Sequence, residues 1–333
     1  MNDKIAGKFR GTGVKAGLMY GMAEFYGGGA FVIINTFFLV FLTKALGMPA
    51  ALAGAIPMVG KVWDAITDPM MGNITDRTSS RFGPKRLYIL IGGILSAIAF
   101  ISLWTTIPSR STTVQFIYYI VMYCLFSTCF TIIMVPYNGL LPDMVDSYDI
   151  RSKFSSLRMI WSTIGAILAG LVPTLMIKDT LNTSMYLKVA IIFGIMFGFA
   201  AVVTFIGTWE KVKPPVKTKL RDSFSEASSV FKSRSFKIFI GIYLSGQCAM
   251  DFVSGMAIYY VDDVLGGYDK GYLTMLMGVL LSSQLIGMLI FTPIMTRTSK
   301  RTTILIGAPI RLASTLGLLA FSYAGAPIVP VLL

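Results

Sequence analysis

Asp64 and Asp68 stand one helical turn apart in GKVWDAITDPMMGN, a stretch whose upstream neighbours are almost all apolar. In a helix the two carboxylates project from nearly one face, about 6 Å apart along the axis. They repel each other unless a proton or a hard cation sits between them, and an all-oxygen ligand set suits sodium. Pro69 lacks an N–H and so frees the carbonyl of Ala65 one turn back, offering a third oxygen. If the segment crosses a bilayer, each Asp near its centre costs roughly 2.5 to 3.5 kcal/mol, which marks the pair as a functional site. The competing reading pairs Asp64 with Lys61 and leaves Asp68 solvated near the helix end.

Other chemistry is sparse. The chain has no histidine, and so lacks the commonest general base and metal ligand. Cys124, Cys129 and Cys248 fall in apolar runs without metal or redox spacing and read as small hydrophobes. Gly54 to Lys61 has the wrong spacing for a phosphate loop and lacks the Ser or Thr that should follow the lysine. With no nucleophile-and-base pair either, an enzyme is disfavoured and no cofactor is expected. After Gly72 the chain enters a basic segment ending in Lys85 and Arg86, in which Asp76, Arg77, Arg81 and Arg86 are expected to act as a gating loop as well as a topological anchor.

The elements that must hold these residues are membrane helices. With 55% hydrophobic and 14% charged residues and a mean hydropathy of +0.71, the chain could not cover a soluble surface. Apolar runs long enough to span about 30 Å lie at 18–43, 51–75, 87–107, 112–140, 155–177, 186–208, 236–261, 271–296 and 302–323. The excess of Lys and Arg behind the net charge of +13 clusters in the N-terminal tail and in alternate loops, which places the N-terminus in the cytoplasm. Nucleic acid is excluded as the explanation of that charge.

The polar stretch 209–235 reads as a cytoplasmic linker between a six-helix half, 1–208, and a second half, 236–333. The apolar residues after Pro327 make only about 10 Å of helix. The expectation is a tenth span begun and a longer protein of which this is a part. The fold class is therefore an all-α, polytopic bundle of the major facilitator type, truncated after about nine spans.

WDAITDP, the basic segment after it, VPYNGLLPDMVDSYDIRSKFSSLRM at 135–159 and GMAIYY at 255–260 together resemble the glycoside-pentoside-hexuronide:cation symporter family. The resemblance covers essentially the whole chain. It implies twelve helices, alternating access and uptake of a sugar with sodium or protons across a bacterial inner membrane, by a multi-pass protein taken as a monomer in the bilayer. It places the cation on Asp64, Asp68, Thr67 and Thr131, with Asp64 and Asp68 as metal ligands if the ion is sodium, and the sugar on Arg158.

The family's helix-one acid falls on Gly28, its helix-four acid on Met134 and the following aromatic on Asn138, so galactoside specificity does not carry over. Glu24, one turn before Gly28, is the candidate replacement. Tyr26 and Trp161 are candidate stacking surfaces, with Tyr20 and Tyr119 behind them, and Asp251 is a candidate carboxylate from the second half. The alternatives are the same fold carrying an amphiphilic or lysolipid substrate, or an inert truncated chain.

Overall fold

A bilayer offers the backbone no hydrogen-bond partners, so apolar runs of this length fold as helices that satisfy themselves. The computed structural model describes residues 13–109, 111–210, 233–261 and 272–297, with 302, 305–310 and 312–313. The first span comprises α1 (Val14–Gly21) and α2 (Ala23–Ile33), continued by two π-helical turns, Ile34–Phe38 and Phe41–Ala45. Then follow α3 (Ala50–Arg77), α4 (Pro84–Leu103), α5 (Thr112–Met144), α6 (Tyr148–Met176), α7 (Thr183–Gly207), α8 (Arg234–Tyr259) and α9 (Tyr272–Arg297).

Eight of the expected spans thus appear close to their sequence bounds. The ninth falls mostly outside the described residues, as does the interior of the expected linker at 209–235. By packing, the chain divides into the units Met1–Met256 and Ala257–Leu333. Everything below lies in the first.

Among the described residues five helical segments are long and apolar enough to cross a membrane: Val14–Phe38, α4, α5, α6 and α7. Missing from that set is α3, which carries Lys61, Asp64 and Asp68 in its middle and runs unbroken through Pro57 and Pro69. Of the residues read as a gating loop, Asp76 and Arg77 are in the last turn of α3 and Arg86 is in the first turns of α4, leaving only Arg81 in the connection. That connection is short because Gly83, at φ 93°, makes a turn that an L side chain resists, and Pro84 starts the next helix at its N1 position.

The bundle packs α1 and α2 on α6, α3 on α5, and α4 on both α5 and α7. Small residues set these close approaches. A Cβ added to Gly28 would lie 2.6 Å from the carbonyl oxygen of Ser162, and one added to Gly21 would lie 3.1 Å from the backbone of Arg158. Gly165 meets the carbonyl of Phe25, and Gly194 and Gly198 seat α7 against Ala97 of α4. Away from these seams the core is aromatic: Trp104 stacks on Tyr186 at 5.9 Å and meets Phe41 at 5.4 Å.

Overpacking a backbone-to-backbone seam costs roughly 1 to 3 kcal/mol. Gly28→Ala should therefore lower the thermal unfolding midpoint in detergent. Gly54→Ala, at a position where an added Cβ meets nothing within 4 Å, should not. Equal shifts for the two variants would contradict the seam.

Candidate functional site

Two rungs join α3 to α5. Ser127 donates its hydroxyl to Oδ1 of Asp64, and Thr131 donates to Oδ1 of Asp68 at 2.7 Å. Both rungs join residues separated by 63 in sequence, so the acids and hydroxyls step along the two helices together, one turn at a time. Such a constant offset requires the helices to run parallel, which is the arrangement of two spans separated by a third. Ser127 and Thr131 are buried, Asp64 is half-buried and Asp68 is exposed. One oxygen of each carboxylate is therefore held by a hydroxyl, and the pair can offer its remaining oxygens to a proton or a hard cation.

Trp63 extends the seam by donating Nε1–H to the Thr128 hydroxyl at 2.8 Å. Thr67 turns its hydroxyl back to the carbonyl of Trp63 at 3.2 Å and does not join the two carboxylates. Among the described residues no group of three or more His, Cys, Asp or Glu is placed to hold a metal ion.

A second polar cluster joins the first span to α5 and α6. Arg158 donates from Nε to Oε2 of Glu24 at 2.8 Å and from Nη2 to Oδ1 of Asn138 at 2.6 Å, and its guanidinium lies 4.8 Å from the centre of the Tyr137 ring. Tyr20 stacks on Tyr137 at 4.9 Å behind it. The ion pair is mostly enclosed, with Glu24 13% and Arg158 22% exposed. Arg158 can come this close to the first span because Gly21 faces its backbone. Trp161, one turn later, packs against the same glycine and against Phe25, and its indole N–H is buried without a hydrogen-bond partner.

The helix α5 contributes to both clusters. Ser127, Thr131 and Asn138 recur at four and seven residues, so they lie along one stripe of the helix, with Thr131 and Asn138 about 10 Å apart along the axis. Met134 sits between them, and its methyl faces Gly27 on the turn that carries Glu24.

The other candidates fall elsewhere. Tyr26 is fully buried, bonds through its hydroxyl to Ser96 and packs against Phe197 at 5.0 Å, so the structure places it in the core and not beside Arg158. Asp251 accepts from Asn35 at 3.1 Å, from Gln247 at 3.1 Å and from Lys61 at 2.5 Å. Lys61 thus pairs with Asp251 and not with Asp64, and Asp251 joins α8 to α3 and the first π-helical turn. Tyr119 donates to the Thr105 carbonyl at 3.0 Å.

In the basic segment, Lys85 makes the polar contacts that tie α4 to α5. It pairs with the buried Asp143 near the end of α5 and donates to the Gly139 carbonyl at 2.7 Å. Glu210, just beyond α7, accepts from the backbone N–H of Lys85 at 3.0 Å, an acid at a helix N-terminus. Burial pushes the Glu210 carboxyl above the usual glutamate range, against the pull of the backbone N–H groups of Lys85 and Arg86. Arg86 donates to the Phe205 carbonyl at 2.7 Å and lies over the Phe205 ring, while Arg81 lies 4.8 Å from the centre of the Phe82 ring. Asp76 and Arg77 are exposed at the end of α3.

Ser127 and Lys85 were not among the candidate site residues. The signal for Ser127 was its position one turn before Thr131, which matches the spacing of the two acids. For Lys85 there was no local signal, since its partner lies 58 residues away.

The family described as MFS/sugar transport protein matches residues 19–333. A Synechocystis sp. protein described as an uncharacterized symporter is 38% identical over 158 residues, which are 46% of this chain and 29% of that protein. A Xenopus tropicalis protein described as sodium-dependent lysophosphatidylcholine symporter 1 is 29% identical over 136 residues, 40% of this chain and 26% of that protein. The chain thus spans less than a third of either relative in these matches. Among solved structures, a D-xylose-proton symporter superposes with a TM-score of 0.58 at 14% identity, covering 96% of this chain and 75% of that one, which establishes likeness of fold.

Breaking a buried ion pair by removing one partner costs about 3 to 5 kcal/mol. Lys85→Met should therefore destabilise the bundle strongly, and adding Asp143→Leu should recover much of the loss. Thermal unfolding in detergent measures both, and a double variant no more stable than the single would contradict the pairing.

Proposed function

The chain belongs to the MFS/sugar transport protein family, and on that premise we propose that it works as a cation-coupled symporter that moves a sugar by alternating access. The observation that carries this reading is the pair of parallel rungs, Asp64 with Ser127 and Asp68 with Thr131. Two acids one turn apart, each with one oxygen already held by a hydroxyl, make a site whose charge is incomplete until a cation or a proton enters. In this reading sodium, if it is the ion, binds to the remaining carboxylate oxygens, with Thr131 and Ser127 as the hydroxyls that orient them.

The sugar binds at Arg158, Glu24 and Asn138, where donors and acceptors stand together at the mostly enclosed ion pair. Coupling runs through α5, which carries a ligand of each site on one stripe. When the cation neutralises the acids, the repulsion between the two carboxylates of α3 is relieved, α5 follows through its Ser127 and Thr131 hydroxyls, and the same helix presents Asn138 to the sugar. The basic segment, through Lys85 and Arg86, holds one end of the bundle while the two halves move. An inner-membrane location with the N-terminus in the cytoplasm and a monomeric state belong to the same reading.

A second reading keeps the fold and the cation site and gives Arg158 an amphiphilic lipid. The similarity to the lysophosphatidylcholine symporter favours it.

Uptake into membrane vesicles tests both. Asp64→Asn and Asp68→Asn should each abolish stimulation of sugar uptake by sodium or by a proton gradient, and unchanged ion dependence in both would sink the coupling site. Thr131→Val and Ser127→Ala should each raise the cation concentration for half-maximal uptake about tenfold, the equivalent of one lost orienting hydrogen bond at about 1.4 kcal/mol. Competition by lysophospholipids, with none by sugars, would favour the second reading over the first.

A further inference from the structure

We infer that Glu24 sets the charge class of the substrate, so that the Arg158 cluster takes an uncharged, hydroxyl-rich sugar and discriminates against uronates and other anions. This rests on the sugar reading of that cluster. An arginine in a substrate site is ordinarily an invitation to a carboxylate or phosphate, because its planar fork grips two oxygens at once. Here the invitation is already answered. Nε and Nη2, the donors along one edge of the guanidinium, are occupied by Oε2 of Glu24 at 2.8 Å and Oδ1 of Asn138 at 2.6 Å. The charge is answered too, since Glu24 forms a mostly enclosed ion pair with Arg158. Asn138, Tyr137 and Tyr20, the other groups around the guanidinium, carry no formal charge.

What the cluster leaves open has a definite pattern. The hydrogen bonds to Glu24 and Asn138 use Nε and Nη2 of Arg158 and Oε2 of Glu24, and Nη1 and Oε1 enter neither of them. A hydroxyl can accept from Nη1 and donate to Oε1, and neighbouring hydroxyls on a sugar ring can do both together. An ionised carboxylate can only accept. A uronate would therefore meet a guanidinium already neutralised, would leave Oε1 unsatisfied, and would bring a second negative charge beside Glu24 in a region that water screens poorly.

The position of Glu24 follows from the packing of the first span. Gly28, one turn later, lies so close to Ser162 that no side chain fits there, whereas at Glu24 the helices leave room for an acid. The carboxylate at 24 is thus where this chain can place a counter-charge to Arg158.

The test is calorimetric titration of the purified protein with matched pairs, glucose with glucuronate and galactose with galacturonate, together with xylose. In the wild type, whichever neutral sugar binds should do so at least about tenfold more tightly than its uronate. Glu24→Gln should shift that ratio about tenfold or more toward the uronate, and Glu24→Asp, which keeps the charge, should leave the preference for the neutral sugar in place. A uronate that binds the wild type as tightly as its neutral partner overturns the inference, and so does a Glu24→Gln protein that binds with the ratio unmoved. The wild-type ratio decides the matter even if the variant does not fold. If none of the sugars binds, the sugar reading itself fails and this inference with it, an outcome distinct from uronate preference.

Discussion

A carboxylate inside a membrane helix is tolerated only where other polar groups replace the water it has lost. In this chain that constraint falls on α3, whose acids follow a largely apolar run, and it is met by α5. The hydroxyls of Ser127 and Thr131 reach Asp64 and Asp68 because the two helices run parallel and in register. Change the register by one residue and both hydroxyls rotate away from both acids. The rest of the first unit maintains that register: Lys85 ties the end of α5 to the start of α4 through Asp143, Glu210 ties the same helix start to the end of α7, and the glycine seams bring the first span onto α6.

The same helix then meets a second demand. Asn138 lies two turns beyond Thr131 on the same stripe, where it accepts from Arg158. A rigid helix that contributes a ligand to each of two polar clusters gives the proposed symport a physical path, since any shift or rotation of α5 that suits one cluster is felt at the other. Allostery of this kind needs no long chain of intermediates, only one element with two settings that both sites bias. The cation reading and the sugar reading are therefore less independent than their separation in space suggests.

Much of the fold was legible because length and hydropathy decide it: a run of 20 or more apolar residues has little choice but to be a helix. The acid pair was legible for a related reason, that an expensive residue in an apolar run demands an explanation. Ser127 was not, because a lone serine in a membrane helix is usually packing, and only the partner helix reveals that it matches the spacing of the acids. Tyr26 was a candidate stacking surface for the substrate, yet residues two apart on a helix face nearly opposite ways, so Tyr26 points away from Glu24 and into the core against Ser96. Lys61 was weighed as the partner of Asp64 from local spacing, whereas it reaches Asp251, 190 residues away, a pairing that no local rule encodes. The basic segment was read as a loop because charge suggests solvent, but α3 continues through Arg77 and the anchoring residue is Lys85.

The claim on which the account turns is that the rungs on α3 and the cluster at Arg158 are thermodynamically linked through α5. Linkage is reciprocal: if the cation raises sugar affinity by some factor, the sugar must raise cation affinity by the same factor. The direct measurement is sugar binding to the purified wild-type protein across a sodium series at fixed pH and a pH series without sodium, paired with cation binding at zero and saturating sugar. The account predicts that sodium or protons raise sugar affinity severalfold and that the sugar raises affinity for that same ion by an equal factor. Sugar binding indifferent to both ions would contradict it.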